Sequence, residues 1–179
     1  TIGNDFSDLR IGMATADGTI GSEAQDDQTG NVIINVASAP LDFSAANLNL
    51  RGVAANTTIS TAINTTVAAD KDVTIQGAAI NLDASITTDS GDVTFTGPVE
   101  INAAVNVDTD NGDDGVAGSV SFSSTILAED GTTDSLTIDA TGSTHGNVTI
   151  TGNVGDGTAS NDLDGFTITQ ANVVDLANV

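Results

Sequence analysis

The sequence predicts an all-β fold, a parallel β-solenoid with irregular corner loops. Three observations predict it: one short strand is written many times, its positions alternate apolar and small polar, and helix signals are nearly absent. The recurring strand reads VIIN from Val32, VTIQ from Val73, VTFT from Val93 and VSFS from Val120. It continues as LTID from Leu136, VTIT from Val148 and FTIT from Phe166. Its first and third positions are always apolar, and the second and fourth are mostly small and polar. That alternation marks a strand with one face buried.

Taken in order, residues 1–45 repeat least clearly and are expected to form an irregular lead-in or loop-decorated first coils. The repeat solenoid is expected over 46–179. The best helical candidate, ASAPLDFSAANLNL over 37–50, is interrupted by Pro40 and returns at once to alternation in LNL. After VTIQ comes a companion strand, INL, at 80–82. VTFT is followed by IN at 101–102 and VNV at 105–107. Turn-forming clusters separate these strands: TTDSGD at 87–92, DTDNGDDG at 108–115 and DGTASNDLDG at 156–165.

Successive copies of the main strand are spaced 41, 20, 27, 16, 12 and 18 residues apart. Several of these steps suit one rung of a solenoid, in which a motif must recur once per coil because each strand stacks on its equivalent. The extra residues would then become corner loops. An antiparallel β-sandwich is the alternative. It also explains alternation and frequent turns, but gives no reason for near-identical strands.

Composition narrows the function classes. The core must be built from Val, Ile, Leu and Ala, since the chain has no Trp, no Tyr and only five Phe. Three basic residues (Arg10, Arg51, Lys71) stand against 25 acids, for a net charge of −22. Only Glu23, Glu100 and Glu129 are Glu, so the other 22 acids are Asp, a residue of turns. This charge repels nucleic acid and anionic membrane and leaves divalent cations as attractive partners. With no Cys, disulfides and thiolate metal sites are excluded. The opening residues TIGNDFSDLR lack a signal peptide's basic start and apolar run, so an exported protein is expected to be represented here by a processed or internal piece. No apolar stretch approaches the roughly 20 residues that cross a bilayer, so membrane insertion is not expected.

Strands of the form GDVTFTGPV, DSLTIDA and GNVTITGNV, in an acidic Asp-, Thr- and Gly-rich chain, resemble the repeats of very large bacterial surface proteins. These are the filamentous-haemagglutinin-like adhesins and related β-strand-repeat proteins. The resemblance covers roughly residues 68–179. It implies a right-handed parallel β-helix, export, and a role as stalk or adhesive fibre. No secretion domain or cap of such proteins is recognisable, and the spacing is less regular.

Candidate sites follow from the loops. Asp108, Asp110, Asp113 and Asp114 form the densest acidic loop and offer hard oxygen ligands for Ca²⁺, which takes six to eight. The spacing is not that of an EF-hand, because Gly112 stands where a ligand belongs. Asp156, Asp162 and Asp164 are a weaker Ca²⁺ candidate, and Asp26 with Asp27 weaker still. Asn56, Asn64 and Asn147 begin Asn-x-Thr sequons that matter only where the source glycosylates. The pairs Thr94 and Thr96, Thr149 and Thr151, and Thr167 and Thr169 raise an ice-binding reading. It is weakened by Gln76, Ser121, Ser123 and Asp139 within the aligned strands. His145, the one His, lies in a turn, and no nucleophile elbow, Walker or dinucleotide motif is present. An enzyme is therefore not expected.

The leading expectation is an extracellular structural protein, a β-solenoid building block of a cell-surface fibre, filament or giant adhesin. It would associate with itself or with neighbouring modules of that fibre. The alternatives are a Ca²⁺-dependent module binding surface glycans, and a sandwich subunit that lends TIGNDF or NVVDLANV to its neighbour.

Overall fold

In the computed structural model, residues 8–11, 31–35, 41–42, 47–52, 54–66, 70–112, 115–129 and 133–178 are described. Among them every regular element is a β-strand, and the strands wind as successive three-sided coils. The first coil holds β1 (Asp8–Ile11), β2 (Val32–Ile34) and β3 (Leu41–Asp42). The second holds β4 (Asn47–Gly52), β5 (Thr57–Ile59) and β6 (Ile63–Thr65). Next come β7 (Val73–Gly77), β8 (Ile80–Leu82) and β9 (Ile86–Thr88), then β10 (Val93–Thr96), β11 (Val99–Ile101) and β12 (Ala104–Asp108). The following coil has β13 (Val120–Phe122), β14 (Ile126–Ala128) and β15 (Ser135–Asp139). After it come β16 (Asn147–Asn153), β17 (Gly165–Ile168) and β18 (Val173–Asn178).

Each side of the coil is one parallel sheet. The first sheet stacks β1, β4, β7, β10, β13, β16 and β18 in that order; the second stacks β2, β5, β8, β11 and β14; the third stacks β3, β6, β9, β12, β15 and β17. An isolated parallel bridge from Ile126 to Val154 carries the second side one coil further. This is a parallel β-solenoid, and the sandwich alternative falls with its antiparallel pairing. NVVDLANV is no loose strand either, since β18 pairs with β16. TIGNDF lies outside the described residues.

The repeated strand is one motif used on different sides. VTIQ, VTFT, VSFS and VTIT stack in the first sheet, through Val73, Val93, Val120 and Val148. VIIN belongs to the second sheet, and LTID and FTIT to the third. The short sequence spacings of 16, 12 and 18 are therefore steps between sides, not between coils. Coil-to-coil steps in the first sheet, taken at the residues that link one coil to the next, are 25, 20, 27, 28 and 25.

The interior is built of stacked aliphatic columns. On the first side Leu50, Ile75, Phe95, Phe122 and Ile150 lie one above another, each at most 1% exposed. The Phe95 and Phe122 rings stack with centroids 4.5 Å apart, at the near edge of the usual aromatic range. On the third side Ile63, Ile86, Val107 and Ile138 are all fully buried. Alternate positions face out, as the period-2 pattern requires.

Stacking this close demands glycine at one corner. A Cβ on Gly118 would lie 2.1 Å from the Gly91 carbonyl oxygen, and one on Gly146 would lie 1.9 Å from that of Gly118. The Gly in GDVTF, GSVSF and GNVTI thus lets one coil's backbone sit on the next. Gly146→Ala is expected to lower stability by roughly 1–3 kcal/mol, or more if the corner cannot shift, read as a lower urea midpoint at unchanged slope. Phe122→Ala, which empties a fully packed column, is expected to cost about 3–5 kcal/mol in the same assay.

Candidate functional site

The residue after each of these glycines holds the coils together from outside. At the corner leading into the first sheet, the Asp72 N–H donates to Asn47 Oδ1 (3.0 Å), and the Asp92 N–H to Asp72 Oδ1 (2.9 Å). The Ser119 N–H donates to Asp92 Oδ1 (2.7 Å), and the Asn147 N–H to Ser119 Oγ (3.3 Å). The Asn172 side-chain Nδ2 then donates to Asn147 Oδ1 (3.0 Å). Only side chains with an oxygen acceptor close to the backbone fit this place, which is why Asn, Asp and Ser alternate there.

Behind this ladder, inside the wall, runs a buried threonine column. Thr65 Oγ1 donates to the Lys71 carbonyl (3.1 Å), Thr88 Oγ1 to that of Gly91 (2.7 Å), and Thr109 Oγ1 to that of Gly118 (2.7 Å). All three threonines are fully buried, and each ties the end of a third-side strand to the start of the next coil. Sequence reasoning treats Thr as an outward residue and misses them. The available signal was their place two residues beyond the last inward aliphatic of each third-side strand. A smaller ladder marks the corner between the second and third sides: Ser60 Oγ donates to Asp83 Oδ2 and Asn102 Nδ2 to Asp83 Oδ1, both at 2.8 Å.

The acidic loops serve the same purpose locally. Asp108, half-buried at the end of β12, accepts the Asp110 N–H at Oδ1 (3.1 Å). Asp110 is fully buried, accepts the Gly115 N–H at Oδ2 (2.9 Å) and lies against the backbone of Gly142. It is part of the interior, not of a solvated loop. Asp113, Asp114, Asp26 and Asp27 lie outside the described residues.

In the second loop, Asp162 Oδ1 accepts the N–H groups of Asp156 (3.0 Å) and Gly157 (3.1 Å). Asp156 accepts from the Thr158 N–H (2.8 Å) and Asn161 Nδ2 (2.8 Å), and Asp164 Oδ2 accepts the Thr133 N–H (2.6 Å) across to the preceding coil. Among the described residues no group of three or more His, Cys, Asp or Glu is placed to hold a metal ion.

The remaining candidates are dispersed. Asn56 and Asn147 are exposed at corners, whereas Asn64 is half-buried in the middle of β6. Thr94 and Thr96 share the first sheet with Thr149 and Thr151, whereas Thr167 stacks on Thr137 in the third. Asp139 also lies in the third sheet and does not interrupt the first-sheet threonines. Ser121 does lie among them, with its Oγ 3.2 Å from Thr94 Oγ1, and Gln76 pairs with Thr96. His145, half-buried, accepts the Gly142 N–H at Nδ1 (3.3 Å) within its turn. No protein-family model, no curated protein and no solved structure matches this chain.

Two outcomes follow. Asp92→Ala leaves the Ser119 N–H without its acceptor and is expected to cost about 0.5–1.5 kcal/mol in urea unfolding, whereas Asp92→Asn, which keeps an Oδ1 acceptor, is expected to lose little. The Asp156 carboxyl is held below its ordinary value of 3.8, first by the Asn161 side chain and then by the Thr158 N–H. A lowered folded-state value means that the ordering of this loop is present above the ordinary value and lost as pH falls through the lowered one. An NMR titration is expected to show the low midpoint in the native protein and its rise toward the ordinary value in Asn161→Ala.

Proposed function

We propose that this chain is an extracellular structural protein, a β-solenoid building block of a cell-surface fibre, filament or giant adhesin. The carrying observation is the seven-stranded parallel sheet whose coils are linked at one corner by a side-chain ladder from Asn47 to Asn172. Such a column has one long axis, and five successive links of this ladder run along it. Its job is to span distance and bear load, with acidic corners keeping the wall hydrated. The resemblance of residues 68–179 to filamentous-haemagglutinin-like repeats supports the surface location.

The partner in this proposal is another coil of the same fibre. Among the described residues nothing pairs with the outer edge of β18, and Val173 and Val174 there are 53% and 46% exposed. A parallel edge of this kind accepts a further strand by main-chain hydrogen bonding. The net charge of −22 opposes close approach of copies, and screening shortens its reach to about 10 Å at 0.1 M salt.

Electron microscopy and sedimentation across a salt series, with and without Ca²⁺ and chelator, test this reading. Thin rods or filaments that lengthen as salt or Ca²⁺ rises are expected. A compact particle whose sedimentation is indifferent to both would overturn it, and a Ca²⁺-dependent gain in affinity for a glycan panel would favour the binding module instead.

A further inference from the structure

We propose that Asn111 is a site of self-catalysed covalent modification, converting to aspartate and isoaspartate while the rest of the coil wall stays intact. Asn111 is the one asparagine in the chain followed by glycine. It is exposed at the corner between β12 and β13, and its backbone N–H donates to the Thr88 carbonyl (3.1 Å). Among the described residues no hydrogen bond holds its side-chain amide or the Gly112 N–H.

Gly112 has φ +121°, and among the described residues nothing lies within 4 Å of where its Cβ would be. Gly112 carries no Cβ of its own to crowd the backbone nitrogen that must attack, and it escapes the φ restriction of other residues.

The chemistry needs only water. The Gly112 nitrogen, having lost its proton to solvent base, attacks Cγ of Asn111. The new C–N bond closes a succinimide ring as the Cγ–Nδ2 bond breaks, and the departing nitrogen takes a proton from water to leave as ammonia. Water then opens either ring carbonyl, leaving aspartate or isoaspartate. Each event turns a neutral amide into a carboxylate, and the isoaspartyl product adds one carbon to the main chain at the corner.

Several competing sites among the described residues are protected. Asn147, Asn153 and Asn172 are each followed by Val, whose branched Cβ crowds the attacking nitrogen. At Asp156–Gly157, the equivalent acid sequence, the Gly157 N–H is engaged by Asp162 and the Asp156 carboxylate by Thr158 and Asn161. At Asp164–Gly165 the carboxylate holds Thr133, and Gly165 stands in β17.

The consequence is local. The Thr109 hydroxyl still bonds the Gly118 carbonyl, and the Ser119 link to Asp92 lies beyond the loop. A long-lived structural protein would accumulate one added negative charge per molecule at this corner, a record of its age.

The test is incubation of the native protein at mildly alkaline pH, with ion-exchange chromatography and peptide mapping that separates the aspartyl and isoaspartyl forms. Asn111 is expected to convert at least roughly tenfold faster than Asn147, Asn153 or Asn172, and its native rate to stay within about tenfold of its rate in urea. The Asn111→Gln variant, whose longer side chain disfavours the ring, is expected to lose the main acidic species while unfolding at the same urea concentration. An intact Asn111, a native rate suppressed well beyond tenfold relative to urea, or an acidic species that persists in Asn111→Gln would each overturn the proposal.

Discussion

Main-chain hydrogen bonding along the stacking axis is the constraint on which everything else in this molecule depends. Strand N–H and C=O groups find their partners in the neighbouring coils, as when the Val73 N–H donates to the Asp92 carbonyl (2.9 Å) and the Val93 N–H to that of Ser119 (2.9 Å). Buried backbone groups left unpaired are costly, so each coil must present its strands at the same height and direction as the last. Repetition in the sequence follows from this requirement. Gly91, Gly118 and Gly146 permit the contact, Asp92, Ser119 and Asn147 fix its register, and Val93, Val120 and Val148 face the core.

The same constraint explains where irregularity is allowed. Along β7 to β9 the coil is short, with few residues at each corner. The longer coils place their extra residues between β12 and β13, between β14 and β15, between β15 and β16, and between β16 and β17. Lengthening a surface loop adds little entropic cost, provided the strands on either side keep their heights. The Asp residues concentrate in these insertions because their carboxylates can satisfy the loops' own N–H groups, as Asp110 does for Gly115 and Asp162 for Gly157. Net charge is thus a by-product of turn chemistry as well as a solubilising feature.

The strands themselves were legible because alternation is a local property: Val93, Phe95 and their equivalents could be assigned inward from VTFT alone. Side membership was not, because LTID at 136 and VTIT at 148 share a pattern yet lie on different faces. Only the coil lengths separate them, and those vary with the loops. Buried polar residues were the other gap. Thr65, Thr88 and Thr109 resemble the outward Thr94 in sequence, and their hydroxyls are recognisable as interior only once the next coil's carbonyl is above them. The burial of Asp110 is illegible for the same reason, since it comes from Gly115 and Gly142, distant in sequence or across a turn.

Register between coils is the central claim, and a cysteine-pair experiment tests it most directly because the chain carries no native thiol. Thr94 and Ser121 are partners on adjacent coils of the first sheet, and Thr149 lies one coil further. Strands about 4.8 Å apart fall within disulfide reach, whereas strands two coils apart do not. The account predicts that Thr94→Cys with Ser121→Cys oxidises readily to an intramolecular bond, and that Thr94→Cys with Thr149→Cys does not. Failure of the first pair in a folded protein, or bonding of the second, would contradict it.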